Sequence, residues 1–479
     1  MMVNGWHRLA SAALLGLALL AAPSIHAAPT AAESDTTSYV VAYYPDWKAG
    51  SYPPSAVPYT QLTHLNYAFA ILNEDTTLTV ENPSALHEIS RMAHDQHTQV
   101  LIAVGGWTGS KYFSPIAANP VKRRQAISHM VEFVAKYNLD GIDLDWEFPG
   151  RVGEDCNVVD FTNDTPNLLV LLQELRTALD AQFPEPSSRK LITMAVRVQP
   201  FEVDEKPLAD VSAYASLLDY ISVMAYDING GWSDHTGPNA PFVADPSDPN
   251  PNLSYTQAIN DWTAAGFPAH QIVAGVPFYG RSVQTEQPMD ARQLVVPQAK
   301  VNVPGDSDDG MWASPRCSHQ PAVYSTVWKY RNLRSQGILA ADGSVVDPQW
   351  KGYWDEKSQT PWLYNAAQKT FVSYDDARSI SNKANYAREQ GLRGIMGYDL
   401  SQDNGELLTS ISEARWSLSG SSSPGPVPVV SVVPESMPLV DEDGEPEADV
   451  VPTTEEETRI VESLGSFRRW FKSVIDKYF

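Results

Sequence analysis

Eight short apolar runs alternate with helix-like stretches between Tyr39 and Tyr398, and this alternation restricts the fold more than any other feature of the chain. The runs are Tyr39–Tyr44, Thr63–Phe69, Thr98–Val104, Gly141–Trp146, Leu191–Val196, Leu218–Tyr226, Gln271–Phe278 and Arg393–Tyr398. Several lack a clean apolar/polar alternation, as expected of strands covered on both faces. The stretches between them have the helical period. Leu86, Ile89, Met92 and Ala93 share one face, as do Ile127, Met130, Val131 and Val134, and again Leu168, Leu171, Leu175 and Leu179. Strand and helix in turn make parallel strands, and eight of them predict an α/β fold, a (β/α)8 TIM barrel over residues 38–281 and 372–416. A doubly wound open sheet is the alternative.

The interval between the seventh and eighth runs is too long for one crossover helix. Residues 282–371 carry Trp312, Trp328, Trp350, Trp354 and Trp362 among many turn residues. They are read as an α+β insertion subdomain that builds a wall over one side of the barrel mouth; a long loop without a binding role is the alternative. After Trp416 the composition changes. Residues 417–457 are Ser/Pro-rich and then acidic, with Asp441, Glu442, Asp443, Glu445, Glu447 and Asp449, and read as a disordered linker. In residues 458–479 the side chains of Ile460, Leu464, Phe467, Phe471, Val474, Ile475 and Tyr478 fall on one stripe among Arg and Lys residues. This is expected to be an amphipathic basic helix that docks on the barrel, binds a partner or meets a surface. At the other end, His7 and Arg8 precede an apolar run from Leu9 to Ala22, and the small Ala27 and Ala28 follow. Residues 1–28 therefore read as a signal peptide, and the mature chain is expected to be secreted, extracellular and without a transmembrane segment. A retained signal anchor is the alternative.

The formal net charge of −24 argues against nucleic acid and anionic membranes as partners, since both are met with Lys and Arg. A neutral polymer is compatible with it. The only cysteines, Cys156 and Cys317, form one disulfide in an oxidising compartment or remain two thiols. Asn163 and Asn252 head glycosylation tripeptides if the source is eukaryotic. No phosphate loop or metal motif is evident in the sequence, so no cofactor and no metal are expected.

The fourth run carries the chemistry. Asp143, Asp145 and Glu147 are spaced two apart, so in a strand they project from one face while Ile142, Leu144 and Trp146 project from the other. Three carboxyls facing a barrel interior are costly without a role. Like charges that close push at least one pKa upward, which keeps a carboxyl protonated near neutral pH for use as a general acid. Glu147 is last, at the C-terminal rim where barrel active sites lie. Solvated acids at a strand end, or a calcium or magnesium site, are the alternative readings.

With Asp140 in front, the spacing Asp140, Asp143, Asp145, Glu147 resembles the signature of glycoside hydrolase family 18, the chitinase family. Other segments are similar too. Leu62 to Phe69 resembles the family's second strand, Gly105, Gly106 and Trp107 its third-strand motif, and Met224 to Asp227 its sixth. Gly275 to Arg281, including Tyr279, resembles the seventh, and Tyr374, Asp375 and Asp376 precede the last helix as in that family. The resemblance runs from Tyr39 to Trp416 and includes an insertion after strand seven. It implies hydrolysis of chitin or chito-oligosaccharides with retention, in which the substrate's acetamido group is the nucleophile. It further implies that Glu147 is the acid, that Asp145 orients the acetamido group, that Asp143 tunes Asp145, and that Tyr226 bonds the acetamido oxygen. By the same resemblance Phe69, Gly106, Met224, Asp227, Tyr279 and Arg281 are expected at the sugar site, with Tyr44, Trp107 and Trp354 as stacking platforms.

Two positions depart from the family pattern. Ala103 stands where the third-strand motif usually has Ser, and Tyr398 stands where the eighth strand usually ends in Trp. A chitinase-like lectin and an endo-β-N-acetylglucosaminidase acting on N-glycans are the rival functions.

Overall fold

The computed structural model describes residues 37–289 and 293–418. The expected signal peptide, nearly all of the expected linker and the C-terminal helix lie outside these residues.

Eight parallel strands are found at the expected places: Tyr39–Pro45, His64–Leu72, Gln99–Gly105, Gly141–Asp145, Leu191–Val196, Tyr220–Val223, Ile272–Pro277 and Gly394–Tyr398. Each pairs in parallel with its neighbours, and the first pairs with both the second and the eighth, so the sheet closes into a (β/α)8 TIM barrel rather than an open sheet. Main-chain bonds from Ser38 N to Trp416 O (2.8 Å) and an antiparallel bridge between Thr37 and Ser417 tie the two ends of the barrel together.

Strand alternation sorts the side chains into two cores. Val40, Ala42, Tyr44, Leu65, Tyr67, Ile142 and Leu144 face outward and pack with the helices. The three helical faces read from the sequence supply the matching surface, except that Met92 is only partly buried. Val41, Tyr43, Ala68, Ala103, Tyr220, Val273 and Met396 face inward. The inward layer is also polar: Asn66, Asp143, Thr193 and Ser222 are completely buried. Small residues such as Ala68 and Ala103 leave room for these groups and for the rings of Tyr43 and Tyr220.

Some helices start at side-chain caps that the sequence offers. Asn119 accepts from the amides of Val121 and Lys122 ahead of the helix Pro120–Tyr137, whose first position is a proline. Asp376 and Ser379 form a capping box at Ala377–Glu389. That last helix also holds a fully buried ion pair, Lys383 Nζ to Asp375 at 2.5 Å, which pins it to the end of the insertion.

The insertion is a five-stranded antiparallel sheet built from Tyr279–Gln284, Val327–Lys329, Trp350–Asp355, Thr360–Asn365 and Thr370–Ser373. It begins at Tyr279, before the expected residue 282, because only Phe278 separates its first strand from the seventh barrel strand. Phe278 turns outward into the helix-packed core, and Tyr279 turns inward to the barrel cluster. Three of the five tryptophans, Trp328, Trp350 and Trp362, are subdomain core rather than wall surface.

Replacing Lys383 by Met would leave the Asp375 carboxylate buried without its counter-charge. The expected loss is about 3–5 kcal/mol of folding stability, read by denaturant unfolding; a loss under about 1 kcal/mol would show that the pair contributes little.

Candidate active site

The row of carboxyls climbs from the barrel floor to its rim. Asp143 is 0% exposed, Asp145 is 3% exposed, and Glu147 is partly open to solvent. Across the third strand, Ala103 is level with Asp143 and Gly105 with Asp145; across the fifth, Thr193 is level with Asp143. Thr193 Oγ1 donates to Asp143 Oδ1 at 2.5 Å, and the Tyr43 hydroxyl donates to Oδ2 at 2.6 Å from the first strand. Ala103 therefore offers no hydroxyl, and Asp143 takes its bonds from Thr193 on the other side and from Tyr43.

Charge is graded along the row. Burial pushes Asp143 up to about 6, against the pull of the Thr193 and Tyr43 hydrogen bonds. Burial, then the charges of Glu147 and Asp143, raise Asp145 well above the ordinary carboxylate range. Its Oδ1 is buried without a hydrogen-bond partner among the described residues. Burial, followed by the charges of Asp227 and Glu154, holds Glu147 at about 8. The outermost carboxyl thus keeps a proton at neutral pH where solvent and ligand can reach it, which suits a general acid.

The rim is shaped by close backbone approaches. Gly105 and Gly106 have φ of +114° and +80°. A Cβ on Gly105 would stand 2.3 Å from the Asp145 carbonyl oxygen, and one on Gly106 would stand 2.9 Å from the Phe69 ring. Gly106 N donates to the same Asp145 oxygen at 2.8 Å. Gly106 thus acts through its backbone at the row. Glu147 N donates to Ser110 Oγ at 2.9 Å, and Asn157 Nδ2 donates to the carbonyl oxygens of Glu147 and Trp107, each at 3.2 Å.

The opposite side comes from strands six to eight. Arg281 clamps Asp227 with two bonds of 2.8 and 2.7 Å, and its guanidinium lies over the rings of Trp232 and Tyr279. Tyr226 stacks on Tyr398 at 6.0 Å, and among the described residues its hydroxyl meets only the weak acceptor Met396 Sδ at 4.0 Å. Tyr398 also meets Tyr43 at 5.5 Å, and Met224 packs against the same inward cluster. Phe69 stacks on Trp47 at 6.0 Å. Trp47, Trp107 and Trp232 are 45%, 49% and 37% exposed, large apolar rings left open to solvent.

One expected platform, Tyr44, is placed elsewhere. Tyr44 is 0% exposed in the outward core, its ring stacked on Tyr67 and its hydroxyl bonded to Tyr52 O at 2.8 Å. Alternation along the first strand turns Tyr43, not Tyr44, into the barrel. Trp354 lies on the outermost subdomain strand, with the guanidinium of Arg378 from the last helix 3.7 Å from its ring centroid and its Nε1 donating to Glu356. The reading of the sequence also missed Tyr43, Thr193, Ser110, Trp47 and Trp232. Thr193 had a signal, as a polar residue in an otherwise apolar strand; Ser110 and Asn157 had none, because their roles depend on how loops return to the row. Cys156, in the loop after Glu147, is disulfide-bonded to Cys317 of the insertion.

A barrel of this kind with carboxyls stepping outward along its fourth strand defines a glycosidase-type site. The profile of the glycosyl hydrolases family 18 matches residues 39–403, and the chain belongs to that family. A chitinase-like effector of Moniliophthora roreri is 35% identical over 380 residues, covering 77% of this chain and 90% of that protein. Chitinase A1 of Niallia circulans is 29% identical over 88% of this chain and 64% of its own length. The crystal structure of a chitinase from Rhizomucor miehei superposes with a TM-score of 0.72 at 35% identity, covering 78% of this chain and 99% of that one.

Asp227→Asn removes one negative charge that raises Glu147 and leaves Arg281 without its partner. Both changes favour the Glu147 carboxylate, so its pKa should fall by on the order of one unit. A carbon-13 NMR titration of the Glu147 carboxyl reads this directly; an unchanged or higher value would contradict the assignment of the charges.

Proposed function

We propose that this protein is a chitinase that hydrolyses β-1,4 linkages between N-acetylglucosamine units with retention, through an oxazolinium intermediate, with Glu147 as the acid. The observation that supports this most is Glu147 itself: a carboxyl at the open end of a buried acidic row, held protonated by burial and by Asp227 and Glu154.

In this reading Glu147 gives its proton to the glycosidic oxygen as the bond to the anomeric carbon breaks. The acetamido oxygen of the same sugar attacks that carbon and closes the oxazolinium ring. Asp145 accepts the acetamido N–H on its partnerless oxygen and offsets the positive charge as it forms. Tyr226 donates to the acetamido oxygen and so aims it. Asp143, fixed by Thr193 and Tyr43, holds the charge balance of Asp145. Glu147, now a carboxylate, takes a proton from the water that opens the ring, and the configuration is retained. The nucleophile belongs to the substrate, so unacetylated glucans should not react.

A second reading, a chitin-binding protein without turnover, is favoured by the names of two relatives, chitinase-like effectors 35% and 32% identical to this chain. Export is proposed from the N-terminal apolar run, and the Cys156–Cys317 disulfide supports an oxidising destination.

The test is release of reducing ends from a soluble N-acetylglucosamine hexamer. Wild type should turn over, with activity falling as pH rises through about 8 because Glu147 loses its proton. Glu147→Gln should lose about a hundred- to ten-thousandfold in kcat/KM while still binding the hexamer. Wild-type binding without any turnover would replace the enzyme reading with the binding one. Cleavage of a high-mannose glycoprotein but not of the hexamer would replace it with an N-glycan endoglycosidase.

A further inference from the structure

Residues 305–326 run between the first two strands of the insertion and belong to neither. Their two feet stand together. Asp309 accepts from the amides of Gly305 (2.7 Å), Ser325 (3.1 Å) and Thr326 (3.0 Å), and Asp306 N donates to Val327 O at 3.0 Å. Arg281, which clamps Asp227, also donates to Ser325 O at 2.8 Å, so the feet are fastened to the side of the mouth built by strands six and seven. Above the feet, Trp312 and Val323 exchange backbone bonds of 2.9 Å and make a stem.

The tip lands on the other side. Cys317 is disulfide-bonded to Cys156, Arg316 O accepts from Lys111 Nζ at 3.2 Å, and His319 pairs with Asp155 at 2.5 Å. Lys111 follows the third barrel strand and Cys156 follows the fourth. In a closed ring of eight, the third and seventh strands are opposite each other. The loop that receives the tip is also the one packed on Glu147: a Cβ on Gly153 would stand 1.9 Å from the Glu147 carbonyl oxygen, and Asn157 donates to it.

We propose that residues 305–326 are a strap that closes one flank of the mouth. With the rim from strand four to strand seven it forms a ring through the Cys156–Cys317 disulfide, and a polysaccharide must enter this ring by a chain end instead of being laid in from the side. The inference rests on the chitinase reading and adds to it the mode of attack. Among the noncovalent tip contacts, the His319–Asp155 pair is solvent-exposed, and such pairs contribute little. The disulfide is therefore the latch, and since the chain has two cysteines a reductant acts on nothing else.

The experiment follows viscosity and reducing ends together during digestion of a soluble chitin ether, with the hexamer as the control substrate. The intact protein should produce reducing ends with little loss of viscosity. The Cys156→Ser/Cys317→Ser variant should lose viscosity several-fold faster per reducing end, with hexamer turnover kept. The wild type under a dithiol reductant should behave like the variant, which covers a variant that fails to fold. An identical ratio with the latch intact and open, with the hexamer cleaved in both, overturns the strap and leaves the chitinase reading standing. If the hexamer is never cleaved, the chitinase reading falls, and the strap is read from binding. Opening the latch should then speed association of the polymer several-fold and leave that of the hexamer unchanged; equal effects on both would overturn it.

Discussion

Asp143 is fully buried in the barrel interior, and the surrounding structure is arranged around that fact. A lone buried carboxylate is expensive, and two hydroxyls from different strands, Thr193 and Tyr43, make it tolerable. Alanines at positions 68 and 103 make the space in which the tyrosine rings reach inward. With the innermost acid held in this way, burial and the charges of Glu147 and Asp143 keep Asp145 well above the ordinary carboxylate range, and burial with Asp227 and Glu154 does the same for Glu147.

The two sides of the mouth are stabilised by different chemistry. On the Glu147 side, main-chain approaches at Gly105 and Gly106 and the hydrogen bonds of Ser110 and Asn157 lock the loops onto the strand ends. On the Asp227 side, a two-pronged guanidinium clamp and stacked rings do the work. The insertion couples to both, through Arg281 at one end and Cys317 at the other.

The departures from the family pattern have physical consequences that the structure makes concrete. At position 103 the lost hydroxyl is not replaced locally; Asp143 is instead bonded from the opposite neighbour strand and from across the barrel. At position 398 a phenol stacks on Tyr226 and meets Tyr43, so Tyr398 links the other two rings.

The sequence alone, which left a closed barrel and an open sheet both possible, determined the order of strands and helices and the projection of Asp143, Asp145 and Glu147 from one strand face. The reason is that they depend on local periods of two and of 3.6 residues, which are written along the chain. The family resemblance suggested Tyr44 as a platform, whereas the first strand turns Tyr44 outward and Tyr43 inward. Side-chain facing at the first strand depends on which neighbours it pairs with, and that is a tertiary fact. Tertiary structure alone decided that Thr193 meets Asp143, that Asn157 returns to Glu147, that Trp354 turns to Arg378, and that Cys156 meets Cys317 across 161 residues. These contacts come from loops and strands distant in sequence, whose approach is set by barrel closure and by the seating of the insertion. No local pattern encodes either.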